Sequence, residues 1–269
     1  MFMTQVRLFV LALQFYSRAP IDGRLTHWAG YSPERLAQAT RFVPLVGLWS
    51  GLLIALTYVA LAQLLPHSVA VMLSLIVGIL ATGAFNESGW AGFCDSLANR
   101  SRIEPGQAPS PLGAFGALGL LLLMLLKLET LASLDPSWIG MAVITANPFS
   151  RGCAVLILIS LNHAQGSDAA PARPVVEQVG KRDAAIALLL GLIPALAAAW
   201  WLDHPEAFLA ALVPAMAVTA WIRRAMRKRL NGYTGDGLCA TQQLAETAYY
   251  LGLLAWWTLS NAIADATPE

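Results

Sequence analysis

Two short polar segments carry most of the residue types that could do chemistry in this chain. The first is Phe85-Asn86-Glu87-Ser88-Gly89-Trp90-Ala91-Gly92-Phe93-Cys94-Asp95-Ser96. On a continuous helix Glu87 and Asp95, eight residues apart, lie about two turns apart near one face, a spacing that suits a shared hard cation. The alternative is a pair of ordinary solvated acids beside Arg100 and Arg102. The second segment is Asn231-Gly232-Tyr233-Thr234-Gly235-Asp236-Gly237-Leu238. Its three glycines can bring backbone N–H groups close to a phosphate, Thr234 offers a hydroxyl, and Asp236 is suited to Mg²⁺, which uses one or two carboxylates plus substrate phosphates. No Walker loop is present, because G-K-[ST] is absent. A plain turn followed by a helix N-cap is the other reading.

A third group consists of polar residues inside apolar runs: Lys127, Glu129, Arg151, Gln242, Gln243 and Glu246. An ionisable side chain within a membrane costs a few kcal/mol or more, so each is expected to face a polar interior or a partner. Lys127 and Glu129, two residues apart, cannot face each other on one helix and are expected to pair elsewhere. Arg151 follows Asn147-Pro148, a sequence expected to break its helix and leave the guanidinium near an anion; a snorkelling arginine is the alternative. The basic run at 223–229 reads as a topology signal that touches lipid headgroups. The four histidines are scattered without metal spacing, and Cys94, Cys153 and Cys239 form no C-x-x-C pair.

What must position these residues is a membrane. The chain has 269 residues, 57% hydrophobic and 12% charged, with a mean hydropathy of +0.59; ordinary soluble domains carry about twice that charge. The net charge of +1 is too balanced for a nucleic-acid footprint. Six stretches approach or reach the ~20 residues of a spanning helix: 42–65, 69–85, 112–134, 138–161, 184–202 and 207–222. A seventh, 241–263, begins more polar. The apolar run 8–15 is too short and reads as an interfacial or re-entrant helix rather than a signal peptide. The expected fold is an all-α polytopic membrane protein, one domain over 1–269, with about seven transmembrane helices.

Basic residues are sorted by segment. Residues 1–41 carry five, 86–111 two, 162–183 three and 223–240 five, while 66–68, 135–137, 203–206 and 264–269 carry none. Retention of Lys and Arg on the inside then puts the N-terminus and the polar segments in the cytoplasm. The stretch 166–174, rich in Ala, Pro and Gly, reads as the most flexible loop.

Several ordered motifs carry a family resemblance. Leu11-Ala12-Leu13-Gln14-Phe15 with Ser17-Arg18-Ala19-Pro20, then Phe42-Val43-Pro44-Leu45-Val46-Gly47, Thr82-Gly83-Ala84-Phe85, Ser150-Arg151, and Gly235-Asp236-Gly237-Leu238-Cys239-Ala240 with Glu246 resemble the cobalamin synthase family, the adenosylcobinamide-GDP ribazoletransferases. The resemblance runs from about residue 7 to 255. It implies an Mg²⁺-dependent enzyme of the bacterial inner membrane that joins adenosylcobinamide-GDP to α-ribazole or its 5′-phosphate, releasing GMP, in the last steps of cobalamin biosynthesis. Carried over residue by residue, it implies Asp95, Asp236 and Arg151 as catalytic, Asn86, Thr234, Gly235 and Glu246 as substrate-binding, and Glu87, Asp95 and Asp236 as metal ligands. A homo-oligomer is compatible with it.

The chain departs from the family's acidic motif, F-H-x-D-G-x-A-D-x-x-D-G. Asn86 stands for its His, Ser88 and Gly92 for its first two Asp, and Ser96 for its last Gly, so Asp95 alone remains of three aspartates. The next motif, D-S-R-x-G-x-x-G, reads Pro109-Ser110-Pro111-Leu112-Gly113-Ala114-Phe115-Gly116, without its Asp and Arg. A catalytically impaired paralogue that binds a corrinoid or a membrane partner is therefore the second reading. A small anion transporter built on Arg151 is the third, and no duplicated half with broken helices supports it.

Overall fold

The computed structural model describes residues 2–98, 112–164 and 179–266. The loop expected at 166–174, Arg100, Arg102 and the start of the second family motif lie outside them. Among the described residues the chain is helical throughout: α1 Phe2–Tyr16, α2 Gly23–Ala29, α3 Pro33–Ala39, a short 3-10 turn Thr40–Phe42, α4 Val43–Leu61, α5 His67–Thr82, α6 Phe85–Ala98, α7 Ala114–Ala132, α8 Pro136–Ser160, α9 Lys181–Leu202, α10 Pro205–Arg229 and α11 Gly235–Ala266.

Local chemistry sets several of these limits. Ser32 accepts the Arg35 N–H at 3.2 Å with Pro33 at the first helical position, starting α3. Asp135 starts α8 in the same way, accepting the Ser137 amide (2.9 Å) and hydroxyl (2.6 Å), which hold its carboxyl below the usual carboxylate range. Gly83 ends α5 in the left-handed region at φ +71°, and a side chain there would also run into that of Arg18. The chain leaves Gly83 with α6 bent 88° from α5.

Among the described residues five segments are long and apolar enough to cross a membrane, Pro33–Leu61 and the four helices α7 to α10, or six if the bent pair α5 and α6 counts as one span. That is five or six of the seven expected spans among the described residues. The 69–85 stretch is interrupted at Gly83, which leaves α5 with 16 residues. The last helix, α11, is long at 32 residues, but its first half is polar, carrying Asp236, Gln242, Gln243 and Glu246. The last three of these are buried among other helices instead of facing outward. Leu118, Leu121, Leu122 and Leu125 on α7 and Leu189, Ile193 and Leu196 on α9 are exposed, a surface suited to hydrocarbon and not to water. The 15 residues of α1 do not span; Leu8, Leu11 and Ala12 pack instead against Ala39 and Val46.

Close helix contacts are made through glycines. Gly47 and Gly51 lie four apart on α4, and side chains there would strike the backbone of Asn147 and the Val143 carbonyl of α8; this is the small-xxx-small approach of membrane helices. Pro148 leaves α8 continuous over 25 residues, so the expected break at Asn147-Pro148 does not form. On α6, Gly89 abuts Cys239 and Gly92 abuts Asp236. Rising numbers on one helix meet falling numbers on the other, so α6 and α11 run antiparallel. The rings of Trp138 and Trp256 meet at a tilt, with centroids 4.9 Å apart and planes 55° to each other.

Candidate functional site

Four helices that are remote in sequence send ionisable side chains to one buried network. Lys127 of α7 donates to Gln243 Oε1 at 2.7 Å and stands 3.2 Å from Glu246 Oε1, which gives Lys127 the remote partner its spacing from Glu129 demanded; Glu129 is exposed. Gln243 in turn donates Nε2 to Glu87 Oε1 of α6 at 2.8 Å. Tyr250 donates its hydroxyl to Glu246 at 2.9 Å. On α8, Arg151 donates Nη1 to the side-chain oxygen (3.1 Å) and backbone carbonyl (3.3 Å) of Asn147, and Ser50 of α4 donates to the same Asn147 side chain at 3.2 Å. Two acids and two bases therefore balance within the bundle, as low-dielectric burial requires. They border a cavity of about 30 Å³, shared with Asn86 and Gln242.

The second polar region lies further along α6. Asp95 accepts the backbone N–H groups of Gly113 (2.9 Å) and Gly116 (2.7 Å), so it holds the beginning of α7, where amide dipoles favour a carboxylate. Thr234 accepts the Gly237 amide at 3.1 Å and acts as the N-cap of α11, as the turn reading expected. Asp236 follows in the first turn, its carboxylate seated against Gly92, while a side chain on Gly235 would meet open space. Gly92 and Asp95 are one helical turn apart, so their Cβ positions are about 5–6 Å apart and the carboxylates of Asp95 and Asp236 fall within roughly 10 Å of each other.

The expected site residues thus divide. Asn86, Glu87, Arg151 and Glu246 line the inner cavity, and Asp95, Thr234, Gly235 and Asp236 gather at the α6–α7–α11 junction. Glu87 and Asp95 turn to different partners, about 12 Å apart along the helix axis at 1.5 Å per residue. Among the described residues no three His, Cys, Asp or Glu side chains come together as a metal cluster. Two of the five cations at 223–229 have structural partners: Arg223 donates to Ser160 Oγ at 2.9 Å and Arg229 to the Leu97 carbonyl, near the end of α6, at 3.3 Å.

A family profile described as cobalamin-5-phosphate synthase matches residues 8–254. The chain belongs to that family. A curated adenosylcobinamide-GDP ribazoletransferase from Leptothrix cholodnii is 41% identical, with 93% of this chain and 96% of the relative covered. Proteins of the same name from Polaromonas sp. (35%; 92% and 96% covered) and Shewanella frigidimarina (31%; 93% and 95%) are also similar. No solved structure matches.

Set against the family's acidic motif, the α6–α11 contact has a chemical meaning. The position at which the motif has its second Asp is Gly92, the residue that faces Asp236. The junction is a cradle that a side chain on Gly92 would fill, with oxygen donors from Asp236 on one side and Asp95 one turn away. Lys127, Gln243, Tyr250 and Asn147 are further polar residues of the inner site absent from the expected set. For Lys127, Gln243 and Asn147 the signal was an amide or charge in an otherwise apolar helix, strongest for Gln242-Gln243 beside Glu246; Tyr250 gave none.

Proposed function

We propose that this chain is an adenosylcobinamide-GDP ribazoletransferase that joins its corrinoid substrate to α-ribazole or its 5′-phosphate and releases GMP. A hydroxyl oxygen of the ribazole forms a bond to the phosphorus on the cobinamide side, the bond from that phosphorus to the bridging oxygen breaks, and GMP leaves with the electron pair. The observation that carries this reading is the seating of Asp236, from the intact Thr234-Gly235-Asp236 motif, against α6 at the motif position Gly92. Two family motifs far apart in sequence meet there.

Asp236 and Asp95 are the residues that would hold Mg²⁺, a hard cation that takes oxygen ligands from one or two carboxylates and completes its shell with phosphate and water. When bound, it would neutralise charge on the pyrophosphate and the departing phosphate. Arg151 supplies a fixed guanidinium for phosphate oxygens. Thr234 and Gly235 shape the turn that presents Asp236, and Glu246 keeps Lys127 in place. The basic segments face the bacterial cytoplasm in this reading. An impermeant maleimide should label a cysteine placed at exposed Lys228 only after the membrane is opened; labelling in intact cells would reverse the orientation.

Complementation tests the function. A strain lacking its cobalamin synthase should regain growth on cobinamide when it carries this chain. The substitutions at Asn86, Ser88 and Gly92 favour a second reading, an impaired paralogue that keeps the scaffold. In that case the chain fails to complement although it is present and folded in the membrane.

A further inference from the structure

Asp236 sits in the part of its helix that is least able to hold itself. The first N–H groups of an α-helix have no intrahelical acceptors, and helix ends fray, so the length of α11 does not by itself fix the residue that follows Gly235. What fixes it lies before the helix. The Tyr233 N–H donates to the Asn162 carbonyl at 2.9 Å, and the Ala164 N–H donates to the Tyr233 carbonyl at 3.0 Å. These two bonds pair the turn with the residues just after α8, as a parallel β-bridge of Tyr233 with His163. Thr234 carries the constraint onward: its hydroxyl accepts the Gly237 N–H at 3.1 Å and its carbonyl the Leu238 N–H at 3.0 Å. Asp236 lies inside that closed turn.

The residue types of the turn suit this pairing. A Cβ on Gly232 would come 2.5 Å from the Asn162 carbonyl oxygen and 2.8 Å from the Ala164 nitrogen. Both are backbone atoms, so any larger residue pushes the two segments apart. Asn231 turns the chain in the left-handed region at φ +55°, which asparagine tolerates better than most residues. Tyr233 is 2% exposed; it shares a core with Phe93 of α6, Ile157 of α8 and Ile222 and Met226 of α10, and its ring stands edge-on to His163 with centroids 5.2 Å apart. Phe93 follows Gly92, against which Asp236 is seated. The same turn is thus keyed to α6 through its core ring and its carboxylate.

We infer that the bridge between Tyr233 and the residues after α8 sets where the Asp236 carboxylate stands for its ligand, with Gly232 and Ala164 as positioning residues that act through Asp236. This deepens the transferase reading above and rests on it. In that reading Mg²⁺ takes oxygens from Asp236 and Asp95, which belong to different helices, and Mg²⁺ demands near-ideal octahedral geometry. A first turn released from the bridge therefore loses affinity for the ion before the bundle loses any packing.

The test uses the full chain in lipid nanodiscs. Ala164→Pro deletes one bond of the bridge from a segment remote in sequence from Asp236 and changes nothing in the turn itself. Read by mass spectrometry, hydrogen exchange at the Gly237 and Leu238 amides should quicken about tenfold, the scale of one lost backbone hydrogen bond, while amides at 243–250 keep their native rates. Mn²⁺ affinity, measured by electron paramagnetic resonance with Mn²⁺ alone as the probe, should fall by about the same factor. With both substrates present, raising Mg²⁺ about tenfold should restore most of the lost kcat by mass action, which a general loss of fold would not allow. Ser160→Ala removes only the Arg223 contact at the same end of α8 and should leave exchange and affinity within about twofold of native. Unchanged exchange at 237 and 238, a Mn²⁺ affinity within about threefold of native, or an equal effect from Ser160→Ala overturns the inference. Should Ala164→Pro fail to fold, Gly232→Ala opens the bridge from the other side and is held to the same outcomes. If exchange quickens while the native chain neither binds Mn²⁺ nor forms product, the transferase reading fails and takes the positioning role with it, a result distinct from an active native enzyme whose affinity ignores the bridge.

Discussion

Near the start of α6, contact with α11 is made side chain to side chain, Glu87 against Gln243; five residues later, about one and a half turns, the same helices meet at Gly92 and Asp236, where one partner has no side chain. The first region is almost saturated. Lys127 pairs with Glu246, amides meet Glu87 and Arg151, and hydrogen bonds tie α4, α6, α7, α8 and α11 together. The second is held by backbone amides and by absent side chains. Loss of a group should therefore be felt as lost stability in the inner region and as altered ligand binding at the junction.

The largest effect is expected from Lys127→Met. It strands Glu246 in a buried site, where both side chains are about 5% exposed, and should cost about 3–5 kcal/mol. Pairing it with Glu246→Met should recover most of that loss. Melting in detergent followed by tryptophan fluorescence reads both, and a loss below about 1 kcal/mol for the single variant would erase the contrast between the regions.

Next comes restoration of the junction. Changing Asn86 to His and Ser88 and Gly92 to Asp should raise Mg²⁺ affinity and transfer rate by a hundredfold or more, about 2.7 kcal/mol at 1.36 kcal/mol per decade. The nearest atoms to a Cβ at 92 are those of the Asp236 carboxylate, so the restored acid stands directly beside it. A native rate that already equals that of the restored protein would mean these acids were never missing in function.

Gly47→Leu should cost about 1–3 kcal/mol by overpacking, because its side chain meets fixed backbone at Asn147 and the stem of Arg151; an unchanged melting temperature would remove the close α4–α8 approach. The smallest effect is expected at Asp95. Asp95→Asn should lower stability by about 1 kcal/mol through a weaker hold on the α7 amides, while any Mg²⁺-induced rise in melting temperature disappears. If that rise survives, Asp95 only secures a helix.

Much of this was legible in the sequence. Apolar length marked the helical membrane architecture, and charges inside apolar runs marked the inner site, because hydrocarbon leaves so few reasons to keep a Lys127 or a Glu246. The misreadings came from places where a local rule met a tertiary partner. Proline at 148 predicted a break that packing across Gly47 and Gly51 overrides. Glu87 and Asp95 share a periodicity but not a destination, since Gln243 and the α7 amides lie in segments that no spacing connects to α6. The span count is lower than the sequence suggests at Gly83, where the chain bends, and in α11, whose first half buries polar residues that lower its hydropathy.

The balanced quartet Glu87, Lys127, Arg151 and Glu246 also bears on how the protein is made. Ribosomes deliver α7 and α8 before α11 exists, so Lys127 must enter the bilayer ahead of its acid. A lone charge at mid-membrane costs a few kcal/mol at insertion, which the leucines around Lys127 must offset. The two groups that quiet Lys127, Gln243 and Glu246, arrive only with the last helix. Until then the nascent bundle carries an unmatched positive charge, and a chain stopped short of α11 should be recognised as unassembled and degraded.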